Sequence, residues 1–156
     1  MKYKLPFRGL SLEIENKLLE YMYNKALDAF PNEVGGMLAG RYENKNSAIV
    51  ESIVMPKEIP GGHNEFIRNT EGLEELWAEL KNEGIEYLGE WHTHPNGSSH
   101  YSRADLHAMN EIVRDEYVSI LNPILLILSL DRTRIRGHNV YLYDSSRLLM
   151  FQKGNE

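Results

Sequence analysis

Three segments of the chain carry apolar residues at the spacing of an amphipathic helix. They cover about residues 15–30, 71–82 and 102–117. Pro31 follows the first segment and Gly84 follows the second. Both residue types commonly mark the end of a helix. The pattern therefore predicts three helices, each with one apolar face turned towards a core.

Other segments have the pattern of β-strands, with alternating or continuously apolar residues bounded by turns. The predicted strands are residues 9–15, 34–42, 47–55, 87–93, 124–131 and 139–143. The segment 124–131 is almost entirely apolar, as expected of a strand covered on both faces. Because strands and helices do not alternate strictly, we predict an α/β (α+β) fold with a mixed central sheet flanked by helices.

Composition narrows the possible functions. At 156 residues we expect one domain spanning residues 1–156. The absence of cysteine excludes disulfide scaffolds, thiolate metal sites and cysteine nucleophiles. The net charge of −6 argues against nucleic acid as a partner. No segment has the length of a membrane span or the pattern of a signal peptide, so we expect a cytoplasmic protein without membrane contact.

Two histidines at the end of a predicted strand are the first candidates for chemistry. His92 and His94 are two residues apart, so they project from the same face of the strand, and Pro95 ends it. Asp105 follows a short loop later, in the first turn of the next predicted helix. Two imidazoles and one carboxylate leave a fourth position open for water, which is the ligand count of a catalytic zinc site. Hydrolysis there needs a base, for which a glutamate is suited, and an oxyanion donor such as the Ser102 hydroxyl.

Simpler interpretations of the same residues exist. A His-x-His pair in a strand is often a chance arrangement. Ser102 and Asp105, three residues apart before an apolar-periodic segment, form the pattern of a helix capping box. Capping and catalysis are compatible, because a cap fixes both side chains relative to the start of the helix.

The combined motif resembles that of the JAMM (MPN-plus) metalloproteases, most closely the bacterial and mobile-element branch. The resemblance rests on His92-x-His94, then seven residues, then Ser102-x-x-Asp105, and on an upstream segment, Glu33-Val34-Gly35-Gly36-Met37-Leu38-Ala39-Gly40. It covers roughly residues 9 to 145. It implies an MPN-like domain of cytidine-deaminase-like layout, with one Zn²⁺ per chain held by His92, His94 and Asp105. It further implies that Glu33 activates the water and that Ser102 helps to hold the oxyanion.

Four further residues are assigned to the surroundings of this site. Glu90 lies two residues before His92, so we expect its side chain on the same face of the strand. There it either orients the imidazole of a metal ligand or acts as the general base in place of Glu33. The alternative is a solvated carboxylate at the edge of the strand. Gly35 and Gly36 either allow a substrate strand to approach or reflect tight strand packing. Phe66 is a candidate contact for the substrate tail, or else a buried residue.

The resemblance implies hydrolysis of the bond after the C-terminal glycine of a ubiquitin-like protein, by deconjugation or precursor trimming. A second interpretation is release of an amino acid from a sulfur-carrier protein. A non-catalytic MPN interaction module and a DNA-linked protein of the RadC type are further alternatives, disfavoured by the complete motif and the acidic charge respectively. Enzymes of a conjugation pathway are possible partners, and so is a second copy of the chain.

Overall fold

A nine-stranded mixed sheet organises the described part of the chain. The computed structural model describes residues 1–55, 74–116 and 118–155. The strands are β1 Lys2–Leu5, β2 Leu10–Ile14, β3 Gly35–Asn44, β4 Ser47–Val54, β5 Glu86–Pro95, β6 Ile124–Leu130, β7 Ile135–Asp144, β8 Arg147–Met150 and β9 Gln152–Lys153. The helices are α1 Asn16–Ala29, α2 Glu74–Asn82 and α3 Arg103–Arg114. Among these residues, no helix has the length and apolar character needed to cross a bilayer.

The strand order is β8-β7-β6-β5-β3-β4-β2-β1-β9. The pairs β5–β6 and β2–β4 are parallel, and the other pairs are antiparallel. The crossover from β5 to its parallel neighbour β6 contains α3. This places α3 beside the end of β5, where the two histidines lie.

Helices cover both faces of the sheet. On one face, α1 contributes to a core that includes Trp91 of β5 and Leu128 of β6. On the other face, α3 packs through Met109 and Ile112 on Leu125 of β6, among other residues. Residues of α2 pack on β3 and β4 beside it. Alternate residues of β5 therefore face different helices, and Trp91 is completely buried on the α1 side, as its alternation with His92 predicts.

The predicted fold class is confirmed, and so are the six strands and three helices. All seven residues of β6 are buried, in agreement with its apolar sequence. The predicted start of α2 lies outside the described residues, which begin again at Glu74, and so does Tyr117. The third helix ends at Arg114.

Three short strands and extensions of β3, β5 and β7 were missed by the sequence pattern. The strand β1 has four residues with only Tyr3 and Leu5 buried, which is too short for a periodic signal. The strands β8 and β9 have four and two residues. The strands β5 and β7 extend beyond their predicted bounds because both pair with β6 along its length. Leu130 at the end of β6 pairs with Pro95 of β5 and with Ile135 of β7.

Candidate metal centre

One strand and one helix bring three ligand-type side chains together. His92 Nε2 lies 2.9 Å from Asp105 Oδ1, and His94 Nε2 lies 3.2 Å from Asp105 Oδ2. The two Nε2 atoms are 3.3 Å apart. Their side chains are 12–16% exposed, so the cluster sits at the surface but is largely covered. Within the described residues, this is the one group of three or more such side chains with the spacing to hold a metal ion.

The local sequence explains this convergence. His92 and His94 share a face because they alternate along β5, which lies between β3 and β6 in the sheet. After Pro95, Asn96 takes a positive φ of 60°, which turns the chain away from the strand. The loop then leads into α3, and Asp105 occupies the third position of that helix. The carboxylate therefore approaches the histidines from the side of the helix.

The three distances fit the geometry of a small divalent cation. Zinc bonds of roughly 2.0–2.1 Å in a tetrahedral site put neighbouring ligand atoms roughly 3.3 Å apart. The observed separations of 2.9, 3.2 and 3.3 Å lie close to that value. The donor set of two imidazoles and one carboxylate also suits zinc and leaves a coordination position for water. His92, His94 and Asp105 could therefore hold such an ion with little rearrangement.

The electrostatics of the cluster favour charged forms. Burial alone would raise the pKa of the Asp105 carboxyl, but hydrogen bonds with His92 and His94 hold it well below its usual range. The hydrogen bond to Asp105 raises the pKa of His94, against the effect of burial. Asp105 is thus an ionised carboxylate at neutral pH, which is the form that binds a metal.

The structure places Glu33 next to this cluster, just before β3 begins. Backbone hydrogen bonds pair Gly35 with His92 and continue the register to Val34, whose carbonyl accepts from Thr93 N at 3.0 Å. The Thr93 hydroxyl accepts a further bond from Val34 N. The Glu33 carboxylate interacts electrostatically with His94 and contributes to raising its pKa. The register of β3 on β5 therefore brings the predicted glutamate to the end of β5 that carries the histidines.

Ser102 forms the capping box that its spacing predicts. Its Oγ accepts a hydrogen bond from Asp105 N at 3.1 Å, and Asp105 Oδ2 accepts from Ser102 N at 2.7 Å. The cap uses the serine oxygen as an acceptor, so the hydroxyl hydrogen is not consumed by it. The same two bonds fix the orientation of the Asp105 carboxylate towards the histidines.

A pocket of about 510 Å³ adjoins the cluster and shares His92 and Asp105 as walls. Its floor is apolar, formed in part by Met109, Ile112 and Leu125. Glu90 lines it as well and is only 5% exposed, on the same face of β5 as the histidines. The structure thus places Glu90 in a largely covered position beside the cluster, and not on a solvated edge.

Gly35 and Gly36 lie where β3 crosses close to its neighbours. A Cβ atom on Gly35 would come within 2.4 Å of the Trp91 carbonyl oxygen. One on Gly36 would come within 2.8 Å of the Val54 carbonyl oxygen. Tight packing within the sheet accounts for glycine at both positions. Phe66, the predicted contact for a substrate tail, lies outside the described residues.

Sequence reasoning missed the groups that hold the Nδ1 side of the His94 imidazole, opposite the nitrogen that faces Asp105. Its Nδ1 donates to the carbonyl oxygen of Ser98 at 2.8 Å, in the loop after β5. Asn139 and Tyr141 of β7 bind the same loop through Ser99. A backbone carbonyl leaves no signature in a sequence. The polar groups at Asn139 and Tyr141, two residues apart and so on the same face of β7, are the only available signal.

Comparison with known proteins adds family evidence to this geometry. Residues 15–140 match the family described as prokaryotic homologs of the JAB domain. A protein of Enterobacter hormaechei subsp. hoffmannii (strain UCI 50), named CD-NTase/cGAS isopeptidase, is 34% identical over 123 residues, which are 78% of this chain and 68% of that protein.

Solved structures share the fold. A solution structure of a Desulfitobacterium hafniense protein is similar with a TM-score of 0.63 and 22% identity, covering 89% of this chain and 88% of the other. A JAB1/MPN domain protein from Archaeoglobus fulgidus is similar with a TM-score of 0.51 and 16% identity, covering 88% and 93%. Because the family match spans residues 15–140, which is most of the sequence, the chain belongs to the family of prokaryotic JAB-domain proteins.

Proposed function

We propose that this protein is a zinc-dependent peptidase or isopeptidase that hydrolyses the bond after the C-terminal glycine of a ubiquitin-like protein. The observation that carries the proposal is the cluster of His92, His94 and Asp105, whose ligand atoms face one another at the spacing of a tetrahedral site. Glu33 beside it and the adjoining pocket supply the other requirements of a hydrolase.

In this proposal His92, His94 and Asp105 hold one Zn²⁺. The bound ion would act as a Lewis acid that lowers the pKa of water and polarises the substrate carbonyl. The protein fixes the direction of each ligand. Asp105 is oriented by the cap of α3, and His94 is oriented by the Ser98 carbonyl.

Glu33 acts as the general base. Its carboxylate accepts a proton from the attacking water as the oxygen bonds to the carbonyl carbon. The same proton then passes to the leaving nitrogen as the carbon–nitrogen bond breaks, which yields a carboxylic acid and an amine; the acid then gives up its proton and the amine takes one up at neutral pH. Ser102 donates its hydroxyl hydrogen to the carbonyl oxygen, where negative charge develops.

The pocket beside the cluster accommodates substrate. A cavity of about 510 Å³ has the size of a typical ligand site, and its lining combines apolar side chains such as Met109 and Leu125 with charged ones such as Glu111 and Arg114. We assign to it the substrate residues that flank the scissile bond, because His92 and Asp105 are part of its wall. The ubiquitin-like nature of the substrate is supported by the relative named as an isopeptidase and by family membership.

The direct test is cleavage of candidate substrates by the purified, zinc-loaded protein. The candidates are ubiquitin-like proteins encoded beside the gene, fused through their terminal Gly to a reporter peptide or to a lysine side chain. A carrier bearing a C-terminal cysteine tests the amino-acid-release alternative. We expect cleavage after the glycine, and a Glu33→Ala variant that keeps its zinc but loses turnover by a factor of roughly 10²–10⁴.

Glu20→Ala is the matched control, because Glu20 is an exposed glutamate on α1, away from the cluster. It should cleave as the wild type does. Equal turnover in Glu33→Ala and Glu20→Ala would remove Glu33 from the mechanism. If the wild type bound stoichiometric zinc but cleaved no fusion, the assignment of a ubiquitin-like substrate would be wrong. Absence of zinc in the protein would favour a non-catalytic module.

A further inference from the structure

The loop after β5 folds back over His94, and three consecutive carbonyl groups of this loop each accept a hydrogen bond. The Gly97 carbonyl accepts from the Ser129 hydroxyl of β6. The Ser98 carbonyl accepts from His94 Nδ1 at 2.8 Å. The Ser99 carbonyl accepts from Asn139 Nδ2 at 3.2 Å and from the Tyr141 hydroxyl at 3.0 Å, both on β7.

The central bond determines which nitrogen of His94 faces the metal centre. A carbonyl oxygen can only accept, so His94 Nδ1 must carry a hydrogen. Nε2 is then the nitrogen directed at Asp105 and His92. If the Ser98 carbonyl rotated away, the imidazole would lose both its orientation and its fixed tautomer.

The two outer bonds prevent that rotation. The Ser98 carbonyl lies between the peptide groups of Gly97 and Ser99, and side chains of β6 and β7 bind both. The supporting side chains are well placed to hold the loop, because Ser129 is 4% exposed and Tyr141 is 1% exposed.

Further contacts keep the loop close to the histidine. Asn139 Nδ2 also donates to Ser99 Oγ at 3.0 Å. Asn96 N donates to the Leu130 carbonyl at 2.7 Å. A Cβ atom on Gly97 would lie only 3.2 Å from His94 Cβ, so the loop passes the imidazole at close range.

We propose that Ser129, Asn139 and Tyr141 are positioning residues of the metal centre. They act through the Gly97 and Ser99 carbonyls to hold the Ser98 carbonyl, which fixes the His94 tautomer. The strands β6 and β7 contribute no proposed ligand, yet their side chains determine the orientation of the His94 imidazole. The inference rests on the proposed metal site, and it adds residues that lie 24 or more positions beyond Asp105 in the sequence.

Tyr141→Phe and Tyr143→Phe form a matched pair for the test. Both tyrosines are buried on β7 and face α3, but the Tyr143 hydroxyl donates to Asn110 of α3 and not to the loop. Each variant loses one hydroxyl and the hydrogen bond that this hydroxyl donates, and Tyr141→Phe also loses the long bond that its oxygen accepts from Asn139 Nδ2 at 3.4 Å. We expect a similar fall in Tm in both. Only Tyr141→Phe should raise the Zn²⁺ dissociation constant, measured by chelator competition, by roughly threefold.

A double variant, Asn139→Ala/Tyr141→Phe, removes both donors to Ser99 and should raise that constant by roughly tenfold or more. A second readout uses the metal-free protein, so it does not depend on zinc binding or on activity. In ¹H–¹⁵N spectra of the imidazoles, we expect the His94 Nδ1 hydrogen to be protected from exchange in the wild type and in Tyr143→Phe. It should exchange rapidly in the double variant.

Each result bears on the proposal in one direction. Equal zinc affinities in Tyr141→Phe and Tyr143→Phe, together with a protected Nδ1 hydrogen in the double variant, would overturn it. If the wild type bound no zinc, the proposed function would fail, while the exchange measurement would still decide whether β7 holds the His94 ring. A double variant that does not fold leaves the Tyr141/Tyr143 pair to decide.

Discussion

Two histidines on opposite faces of the same sheet have contrasting surroundings. His94 on the α3 side meets a carboxylate, a second imidazole and a backbone carbonyl. His138 of β7, on the α1 side, lies between two phenols: its Nε2 is 2.6 Å from the Tyr3 hydroxyl and its Nδ1 is 2.9 Å from the Tyr23 hydroxyl. The hydrogen bond to Asp105 raises the pKa of His94, whereas burial lowers the pKa of His138 to about 4.

The difference shows that the partners of a histidine, and not the histidine itself, decide what it can do. Phenol groups occupy both nitrogens of His138, so its ring links β1 and α1 to β7 and offers no lone pair to a metal. The His94 ring has one nitrogen on a carbonyl and the other on an ionised carboxylate that a cation can share. The first arrangement suits structure, and the second suits a metal.

The largest expected effect tests this division of roles. His94→Ala and Asp105→Ala each remove one of three proposed ligands and should abolish stoichiometric zinc binding, measured by metal analysis after dialysis. His138→Ala should keep one zinc per chain while lowering Tm, because it leaves a cavity and takes one hydrogen-bond partner from each of two hydroxyls. Zinc loss in a folded His138→Ala would show that the two sites are not separate.

The pH dependence of folding gives a second contrast. His138 has a folded pKa of about 4 against roughly 6.5 in an unfolded chain, so the unfolded state binds more protons between these values. Stability should therefore fall as the pH drops from about 6.5 to 4, by at most about 3 kcal/mol. Urea unfolding of wild type and His138→Gln at pH 7 and 4.5 measures this, with the exposed His107→Gln as the control. An unchanged difference between wild type and His138→Gln across this range would contradict the prediction.

In metal-free protein, the His94–Asp105 pair should instead keep its full contribution to stability over the same range and lose it outside that range. The lowered pKa of Asp105 gives stability that is present above about 3.9 and is lost as the pH falls further. The raised pKa of His94 gives stability that is complete below about 6.5 and is lost as the pH rises through its folded value.

The pair should thus stabilise the metal-free fold most between about pH 4 and 6.5. Asp105→Asn should remove that contribution, and unfolding in the presence of a chelator measures it. Asp28→Asn, on an exposed position of α1, is the control. Equal pH profiles for the two variants would mean that the ion pair does not contribute to folding.

The surroundings of His94 and His138 also show how much of the site could be predicted from the sequence. His92 and His94 share a face because a strand has a period of two, and Ser102 and Asp105 form a cap because a helix fixes groups three residues apart. These are local rules, so the ligand set was predictable. The position of Glu33 depends on the register between β3 and β5, and only the family resemblance supplied it.

What could not be predicted depends on long-range pairing. Tyr3 reaches His138 across 135 residues, and Tyr141 reaches Ser99 across 42. Neither contact follows from periodicity, because each joins side chains from elements that lie far apart in the sequence. The burial of Glu90 has a similar origin, since α3 and β6 cover it together. Local sequence rules predicted which three side chains come together, and long-range pairing determined the groups that surround them.

The smallest expected effect on stability comes from substitutions of Ser102. This residue caps α3, which is a structural role, and we also propose that it donates to the oxyanion, which is a chemical role. Ser102→Ala removes the cap acceptor and should destabilise the protein by about 1 kcal/mol, whereas Ser102→Gly should cost only a few tenths. Both variants lack the hydroxyl, so both should lose turnover equally if the hydroxyl holds the oxyanion, by a factor of roughly 10²–10³. Turnover that instead followed the order of stability, with Ser102→Gly close to wild type, would assign Ser102 to capping alone. Chemical unfolding and cleavage kinetics on the same preparations, with Ser102→Thr as the variant that keeps both functions, distinguish these outcomes.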